Sequence, residues 1–276
     1  MDILQPNEYE LARPLFQGMD QHLAIEAILN GFVPGTVYLD DRKNPTLAAA
    51  WFSHRFHLAA APGVEVDYPH LNRFFQNEII PAAVEKKMEG FLIFYSEGVW
   101  AEQIPASVFP EKKIYPGERE YYEISSVDTG WRRNLPAGFS LCEVDRWLLE
   151  DDTIENLDWL LEETTSERES VGAFLENSFG SAILYDNMLV AWCLSEYNSG
   201  SRCEVGIATA DAYQKRGLGT VVGSAFVEQA IARGYNQIGW HCWKRNIPSW
   251  RTALRIGYHK TRDYPTYYVP VVEEEN

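Results

Sequence analysis

The residues best suited to chemistry form one short segment, Gln214-Lys215-Arg216-Gly217-Leu218-Gly219-Thr220. It follows an apolar, strand-like run from Cys203 to Ala208 and precedes an apolar periodicity that predicts a helix over 217–233. Backbone N–H groups at a helix N-terminus carry partial positive charge and favour phosphate groups. Gly217 and Gly219 lack side chains, so a diphosphate can approach the backbone closely. The segment therefore predicts an anion-binding loop, which is called the 214–220 loop below.

Two other phosphate-binding patterns do not fit this loop. A dinucleotide-binding fingerprint requires a third glycine where this chain has Val222. A Walker loop requires Gly-Lys-Ser/Thr four residues after its first glycine, and no such triplet follows. The loop on its own is otherwise compatible with an ordinary turn that contains two glycines.

A second motif, Asn246-Ile247-Pro248-Ser249, comes one helix and one strand later. Asn246 is a good N-cap, and Pro248 falls in the first turn, where its missing N–H costs nothing. These residues predict a helix that Gly257 ends. Alone, the motif indicates only a well-capped helix.

Together the two motifs resemble the acetyl-CoA half of the GNAT superfamily of N-acetyltransferases, over residues 139–269. The matching order is strand, Gln-x-x-Gly-x-Gly, helix, strand, Asn-x-x-Ser, helix, Gly-Tyr and strand. The layout of the whole chain also resembles the GNAT group that includes the zwittermicin A resistance acetyltransferase. The resemblance implies a mixed, largely antiparallel α/β sheet flanked by helices, and acetyl-CoA as the acyl donor.

The resemblance further implies that strands 202–209 and 237–244 separate and hold the pantetheine arm between them. Backbone groups of the first strand would pair with that arm and polarise the acetyl carbonyl. The residues expected to bind the donor are Ile207, Ala208, Thr209, Gln214, Lys215, Arg216, Gly217, Leu218, Gly219, Thr220, Asn246 and Ser249.

Acetyl transfer to nitrogen requires a neutral amine, and an alkylammonium ion at neutral pH is almost entirely protonated. A group that accepts the proton is therefore useful. Glu204 lies ten residues before Gln214, close to where many relatives carry a glutamate, and is the predicted general base. The alternative is a carboxylate that only decorates the strand surface.

The group that protonates the departing thiolate is less well defined. Relatives usually place a tyrosine seven or eight residues after the asparagine, but Ala253 and Leu254 occupy those positions. Ser249, at the last position of Asn-x-x-Ser, is the predicted substitute. The weaker alternatives are Tyr258, Tyr264 and Tyr267.

Two domains are predicted, an N-terminal α/β domain over residues 1–130 and a GNAT acetyl-CoA-binding domain over 137–276. The boundary is placed in a proline- and glycine-punctuated region near 126–137. Hairpin patterns that end in Trp51 and Trp192 resemble each other, so the sequence leaves open a degenerate GNAT-like copy in the first domain.

Composition excludes several classes of protein. The net charge is -16, which argues against nucleic acid as a partner. No apolar run reaches the length of a membrane span, so no membrane association is expected. The four cysteines are scattered in apolar runs, as in a reduced cytoplasmic protein. No metal site is expected, because His54 and His57 alone have metal-like spacing and point to opposite faces of a strand.

Charge is unevenly distributed along the chain. Residues 202–263 contain ten Lys or Arg against four Asp or Glu, whereas residues 143–169 contain eleven Asp or Glu against two Arg. The basic segment suits a phosphorylated donor, and the acidic segment suits a small cationic amine as acceptor. A solvated helix face is the simpler interpretation of the acidic run.

Three functions therefore remain open from the sequence. The first is N-acetyl transfer to a small cationic amine by direct attack, since no Cys-His or Ser-His pairing indicates a covalent enzyme intermediate. The second is a non-catalytic CoA-binding sensor or interaction module, and the third is acetylation of a protein N-terminus or lysine. The sequence gives no indication of oligomeric state.

Overall fold

The computed structural model describes residues 1–98, 100 and 102–272. The chain divides into two compact units. The N-terminal unit comprises Met1–Glu118 together with the C-terminal residues from Pro265, and the C-terminal unit comprises Arg119–Tyr264. Residues 273–276, which end the predicted C-terminal domain, lie outside the described residues.

The strands, in chain order, are β1 (Asp2–Ile3), β2 (Thr36–Leu39), β3 (Leu47–Phe52), β4 (Arg55–Ala60), β5 (Gly90–Tyr95), β6 (Tyr115–Ile124), β7 (Phe139–Glu143), β8 (Gly180–Tyr185), β9 (Met188–Ser199), β10 (Arg202–Thr209), β11 (Gln237–Trp243) and β12 (His259–Pro270). The α-helices are α1 (Leu23–Leu29), α2 (Tyr68–Phe74), α3 (Ile80–Glu85), α4 (Arg146–Leu149), α5 (Leu157–Ser166), α6 (Val171–Asn177), α7 (Leu218–Ala232) and α8 (Ile247–Ile256).

In the N-terminal unit the strands follow the order β1-β2-β3-β4-β5, and residues 265–270 of β12 lie next to β5. The β4–β5 pair is parallel, and the other paired strands of this unit are antiparallel. An aromatic-rich core covers one face and includes Phe56, Phe75 and Phe91. A π-helical turn at Phe75–Ile79 separates α2 from α3, which contains Pro81 in its first turn.

In the C-terminal unit the order is residues 259–264 of β12, then β6, β11, β10, β9, β8 and β7. Among the strand pairs of this unit whose register is described, β10–β11 is parallel and the other pairs are antiparallel. The predicted mixed and largely antiparallel α/β sheet is confirmed. Both units share one order of elements, an antiparallel meander followed by helix and then a strand parallel to the last meander strand.

The unit boundaries differ from the sequence-based division at 126–137. Strand β6 begins in the N-terminal unit and ends in the C-terminal unit. Strand β12 begins in the C-terminal unit and ends in the N-terminal unit. The N-terminal unit is thus completed by the end of β12, which is distant in sequence, whereas the C-terminal unit is one continuous segment, Arg119–Tyr264. Proline and glycine residues mark boundaries between contiguous domains, and they give no signal for a strand that joins the first unit from the far end of the chain.

Helix α7 confirms the predicted helix over 217–233 to within one residue at each end, although its middle, from Val221 to Val227, is buried on all sides. Its apolar positions Leu218, Val221, Val222 and Phe226 are buried against one face of the sheet. Helices α5 and α6 contribute Leu157, Leu160 and Phe174 to a second core on the other face. Successive residues of a strand point to opposite faces, so β10 has one set of side chains beneath α7 and another toward α5.

None of the helices in the described part of the chain combines the length and apolar character that a bilayer crossing requires.

Candidate active site

The 214–220 loop begins with a side chain that fixes its shape. The Gln214 amide donates to the carbonyl oxygen of Thr209 at 3.3 Å and to Oδ1 of Asp211 at 2.8 Å. These bonds tie the loop to the end of β10. The glutamine therefore has a structural role in holding the loop, which its position in the motif does not reveal.

The loop turns into α7 through left-handed backbone at Lys215 and Gly217, with φ of 61° and 83°. Gly217 is the N-cap, and this conformation is the reason for a glycine there. The first N–H groups of a helix have no intrahelical partner. Those of Leu218, Gly219 and Thr220 are accordingly available at the positive end of α7.

Gly219 has a different role. Its backbone does not require glycine, but a Cβ there would lie 3.6 Å from Oγ1 of Thr209 and 3.5 Å from Cγ2 of Thr252. The absent side chain leaves space between β10 and α8, directly in front of the α7 N-terminus. Gly217 thus allows the left-handed backbone at the helix start, and Gly219 leaves space between β10 and α8.

Helix α8 forms the facing wall. The Asn246 side chain accepts a hydrogen bond from the N–H of Ser249 at 3.2 Å and caps the helix, and Gly257 ends it at φ 115°. The Ser249 hydroxyl oxygen accepts a hydrogen bond from Nε1 of the buried Trp240 at 3.1 Å. This bond joins α8 to β11.

These elements enclose a cavity of about 530 Å³ in the C-terminal unit, called the α7–α8 cavity below. Strand β10, the 214–220 loop, the start of α7, Trp240 and α8 supply its walls. The lining residues are Ile207, Ala208, Thr209, Tyr213, Gln214, Lys215, Gly217, Leu218, Gly219, Thr220, Trp240, Asn246, Ile247, Pro248, Ser249, Arg251, Thr252 and Arg255.

Eleven of the twelve residues expected to bind a donor line this cavity. Arg216 does not: its guanidinium lies 5.0 Å above the Tyr213 ring and donates to the Ala212 carbonyl oxygen at 3.2 Å. Sequence reasoning missed Arg251 and Arg255, because exposed arginines on a helix have no pattern that separates them from solvated surface. Their spacing of four residues places both on one face of α8.

The cavity has a strongly cationic wall. Lys215, Arg251 and Arg255 line it, whereas the described lining residues include no Asp or Glu. None of these three residues takes part in an ion pair in the described part of the chain. The combination of cations, helix N-terminus and space at Gly219 fits a ligand with several phosphate groups.

Strands β10 and β11 separate at the inner end of the cavity. Their ladder comprises only Arg202↔Gln237, Cys203↔Ile238 and Glu204↔Gly239. Beyond Glu204, β10 continues to pair with β9 as far as Thr209. The edge of β10 that faces away from β9 therefore has backbone groups available over residues 205–208.

Glu204 occupies this point of separation but does not line the cavity. Cys203, Val205 and Trp240 belong to the core beneath α7, so alternation places Glu204 on the opposite face of the sheet. Its side chain is buried, and Oε1 lies 3.3 Å from Nε2 of His241. A carboxylate that decorates the strand surface is not what the structure shows.

Apolar side chains occupy the two positions where the resemblance leads one to expect a tyrosine. Ala253 is fully buried beneath α7, and Leu254 is exposed. Of the alternative tyrosines, Tyr258 lies in the core with its ring 5.3 Å from that of Trp240, and burial raises its pKa far above the usual range. Tyr267 belongs to the N-terminal unit, and Tyr264 contacts His241.

The acidic segment 143–169 includes α4 and α5. Leu157 and Leu160 of α5 pack in the same cluster as Leu194, with Ala208 of β10 against it. Ala208 lies four residues after Glu204 in β10, and the alternation of side chains along a strand therefore places both on the same face. The acidic helix α5 thus covers the sheet face on which Glu204 lies.

Two neighbouring parallel strands separate beside a helix N-terminus, and a cationic cavity lies at their opening. This is the arrangement of an acyl-CoA-dependent N-acyltransferase. The GNAT acetyltransferase family model matches residues 13–267, and the chain belongs to this family. It is therefore an acetyl-CoA-dependent N-acyltransferase by class.

Known proteins with similar chains agree with that assignment. An uncharacterised N-acetyltransferase, YdfB of Bacillus subtilis strain 168, is 22% identical over 272 residues, which cover 97% of this chain and 99% of the relative. A GCN5-related N-acetyltransferase-like protein from Streptococcus suis 89/1591 has a similar fold, with TM-score 0.72, 19% identity and coverage of 95% and 98%.

A tandem GNAT protein from the clavulanic acid biosynthesis pathway also shares the fold, with TM-score 0.60, 9% identity and coverage of 99% and 98%. At such identities the likeness concerns the fold alone.

Proposed function

We propose that the α7–α8 cavity holds acetyl-CoA and that the chain transfers its acetyl group to a small cationic amine. The observation that carries the donor half is the cationic cavity at the N-terminus of α7. The 214–220 loop binds the diphosphate through the N–H groups of Leu218, Gly219 and Thr220. The pantetheine arm lies along the unpaired edge of β10, from Thr209 toward Glu204.

The reaction proceeds by direct attack in a ternary complex. The amine nitrogen forms a bond to the acetyl carbonyl carbon, the carbon–sulfur bond breaks, and its electron pair leaves with the CoA sulfur. Backbone N–H groups near Ile207 and Thr209 stabilise the developing charge on the carbonyl oxygen. Glu204 accepts the proton that the nitrogen loses, through a water molecule, and Ser249 supplies a proton to the sulfur.

Position supports Ser249 for this second role. Its oxygen accepts the Trp240 N–H, and its side chain lines the cavity. Glu204 lies where β10 and β11 separate, on the sheet face opposite to the cavity. The two groups are therefore placed on either side of the position proposed for the thioester.

The acceptor is proposed from charge. Helix α5 covers the sheet face of Glu204, and exposed carboxylates on or beside it include Glu155, Asp158 and Glu162. A negative surface raises the local concentration of a cationic acceptor and orients its approach. An aminopolyol, a polyamine or an aminoglycoside has the required chemistry, and the aminopolyol would agree with the zwittermicin-like layout of the sequence.

An acceptor panel tests the proposal. Purified protein is incubated with acetyl-CoA and with amines matched in size but differing in net charge, and CoA release and acetylated product are both measured. Cationic amines should give the highest kcat/KM, and KM for them should rise with salt. Turnover restricted to neutral or acidic amines would refute the charge argument.

Two outcomes of the panel would favour the other functions. Binding of acetyl-CoA without turnover of any amine would support a non-catalytic sensor. Turnover restricted to peptides with a free N-terminus or a lysine would support a protein acetyltransferase. Glu204→Gln is the control in every arm, because it should retain CoA binding and lose turnover.

A further inference from the structure

Glu204 is buried together with two other polar side chains, on the sheet face opposite to α7. Nε2 of His241 lies 3.3 Å from Oε1 of Glu204, and Nδ1 of the same ring lies 2.7 Å from the hydroxyl oxygen of Tyr264. The three side chains come from β10, β11 and β12; those of Glu204 and Tyr264 are buried, and that of His241 is 14% exposed. A buried carboxylate is costly unless hydrogen-bond donors compensate it.

The contact with Glu204 sets which imidazole nitrogen donates, because a carboxylate oxygen only accepts hydrogen bonds. A tyrosine hydroxyl that donates to Nδ1 leaves the proton of the neutral imidazole on Nε2, the nitrogen that faces Glu204. The ring then supplies an N–H to the carboxylate. The order of groups, tyrosine then histidine then carboxylate, is that of a base that is oriented by a second and a third residue.

Neighbouring residues hold this arrangement in place. The Tyr121 ring stacks on the His241 ring with centroids 4.5 Å apart and planes at 27°. A Cβ at Gly239 would lie 2.8 Å from the Tyr121 hydroxyl oxygen and 3.0 Å from Cγ of Glu204, so only glycine lets both side chains cross β11 at this point. Burial raises the pKa of Tyr121 above its usual range, and the charge of Glu204 adds to the rise.

The position of Glu204, His241 and Tyr264 in the sheet indicates a role beyond structural support. Glu204 and Gly239 form the last pair of the β10–β11 ladder, after which the strands diverge into the α7–α8 cavity. The carboxylate therefore lies where the proposed thioester meets an acceptor that approaches from the α5 side. A structural ion pair would serve equally well anywhere along the ladder.

We propose that His241 and Tyr264 are positioning residues that orient Glu204 as the base of acetyl transfer. This inference rests on the proposed function. The proton lost by the amine goes to Glu204, and the contact with His241 sets the orientation of that carboxylate. Tyr264 acts one step further away, by fixing the imidazole tautomer.

The test combines a spectroscopic measurement with kinetics. Nitrogen-15 chemical shifts of the His241 imidazole, recorded without substrate, should show the tautomer protonated at Nε2. Tyr264→Phe should convert this to a mixture and lower kcat on the order of tenfold. Such a loss is well short of the ~10²–10⁴-fold contribution of a general base. KM for acetyl-CoA should stay unchanged.

Substitutions at His241 separate orientation from packing. His241→Gln retains an N–H donor for Glu204 and should keep most of kcat, whereas His241→Leu should lose nearly as much as Glu204→Gln. Tyr122→Phe is the matched control. It removes a buried tyrosine hydroxyl that donates to Glu120 at 2.7 Å in the same sheet, beneath α7 instead of beside Glu204. It should change neither the tautomer nor kcat.

The outcomes distinguish this inference from the proposed function. An active wild type with the other tautomer, or a His241→Leu variant with unchanged kcat, overturns the positioning role alone. A kcat loss in His241→Gln equal to that in His241→Leu, at equal thermal stability, also overturns it. A wild type that acetylates no amine overturns the proposed function, and the catalytic role of the three residues with it.

Discussion

The indole N–H of Trp240 donates to the hydroxyl oxygen of Ser249 over 3.1 Å. This bond connects β11 to α8 in the wall of the α7–α8 cavity, and the indole is almost fully buried. Ser249 therefore has two duties, one in holding the cavity wall and one in the proposed chemistry. Experiments on this residue have to separate them.

Ser249→Ala should lower kcat and also cost stability. Removing the acceptor leaves a buried N–H without a partner, with an expected loss of about 1–3 kcal/mol in the free energy of unfolding. Denaturant unfolding and single-turnover kinetics measure the two effects. Thr252→Ala is the control, because that hydroxyl donates to the Pro248 carbonyl oxygen within α8 and also borders the cavity. If both variants lose kcat equally, Ser249 has no special role.

Gly217 and Gly219 should respond oppositely to alanine. Gly217→Ala forces a Cβ into left-handed backbone and should cost roughly 1–2 kcal/mol of stability. The new Cβ meets no neighbouring atom within 4 Å, so acetyl-CoA affinity should change little in the folded protein. Gly219→Ala should preserve or raise stability, because its backbone suits alanine, and should weaken acetyl-CoA binding.

Thermal unfolding and calorimetric titration of both variants check this pair of effects. Weaker binding in Gly217→Ala, with Gly219→Ala binding normally, would place the diphosphate elsewhere.

Arg251 and Arg255 should distinguish CoA from its 3′-dephospho form. Both arginines line the cavity, and the 214–220 loop is the proposed partner of the diphosphate. A second cationic group is then available for the additional phosphate. The double variant Arg251→Ala/Arg255→Ala should bind CoA on the order of tenfold more weakly at low salt, since charged contacts at exposed sites are worth about 0.2–1 kcal/mol each.

Affinity for dephospho-CoA should be nearly unaffected in that variant. Arg245→Ala is the matched control, because its guanidinium lies 5.1 Å above the Trp243 ring and does not line the cavity. A double variant that loses affinity equally for both ligands would indicate that these arginines bind the diphosphate.

Thiol reagents should leave activity intact at pH 8. Burial raises the pKa of Cys142 and of Cys242 to about 11, and raises those of Cys193 and Cys203 further. Thiolate is the reactive form, and its fraction falls as the pH lies further below the pKa, so roughly 0.1% is present at pH 8. Slow iodoacetamide labelling with retained turnover is expected, and labelling should accelerate as pH rises.

Rapid inactivation by one equivalent of reagent, with protection by acetyl-CoA, would instead indicate a cysteine in the transfer step. Direct attack would then be wrong.

Much of the donor site could be predicted because its signals are local. The loop, its glycines and the Asn246 cap lie within short segments whose backbone requirements are readable from residue type. The structure assembles Thr209, Gly219 and Ser249 around one cavity, as those motifs indicate. Their roles toward acetyl-CoA stay predictions.

The remaining features depend on pairings between distant segments. Strand β12 brings Tyr264 to His241. Strand β6 brings Tyr121 to the same ring, because Tyr121 and His241 pair in the β6–β11 register although they lie 120 positions apart in the sequence. Arg251 and Arg255 likewise become visible only when α8 is placed beside the 214–220 loop. These contacts are determined by tertiary packing and cannot be inferred from residue type alone.

The most direct test of the central claim is a thermal-shift measurement with acetyl-CoA on the wild type and on Gly219→Asp. At 100 times Kd, binding to the folded state contributes about 2.7 kcal/mol. That corresponds to a rise in Tm of roughly 5–10 °C for a chain of this size. Gly219→Asp places a carboxylate at the proposed diphosphate position and should abolish the rise. No shift in the wild type, or an equal shift in both proteins, would contradict acetyl-CoA binding in the α7–α8 cavity.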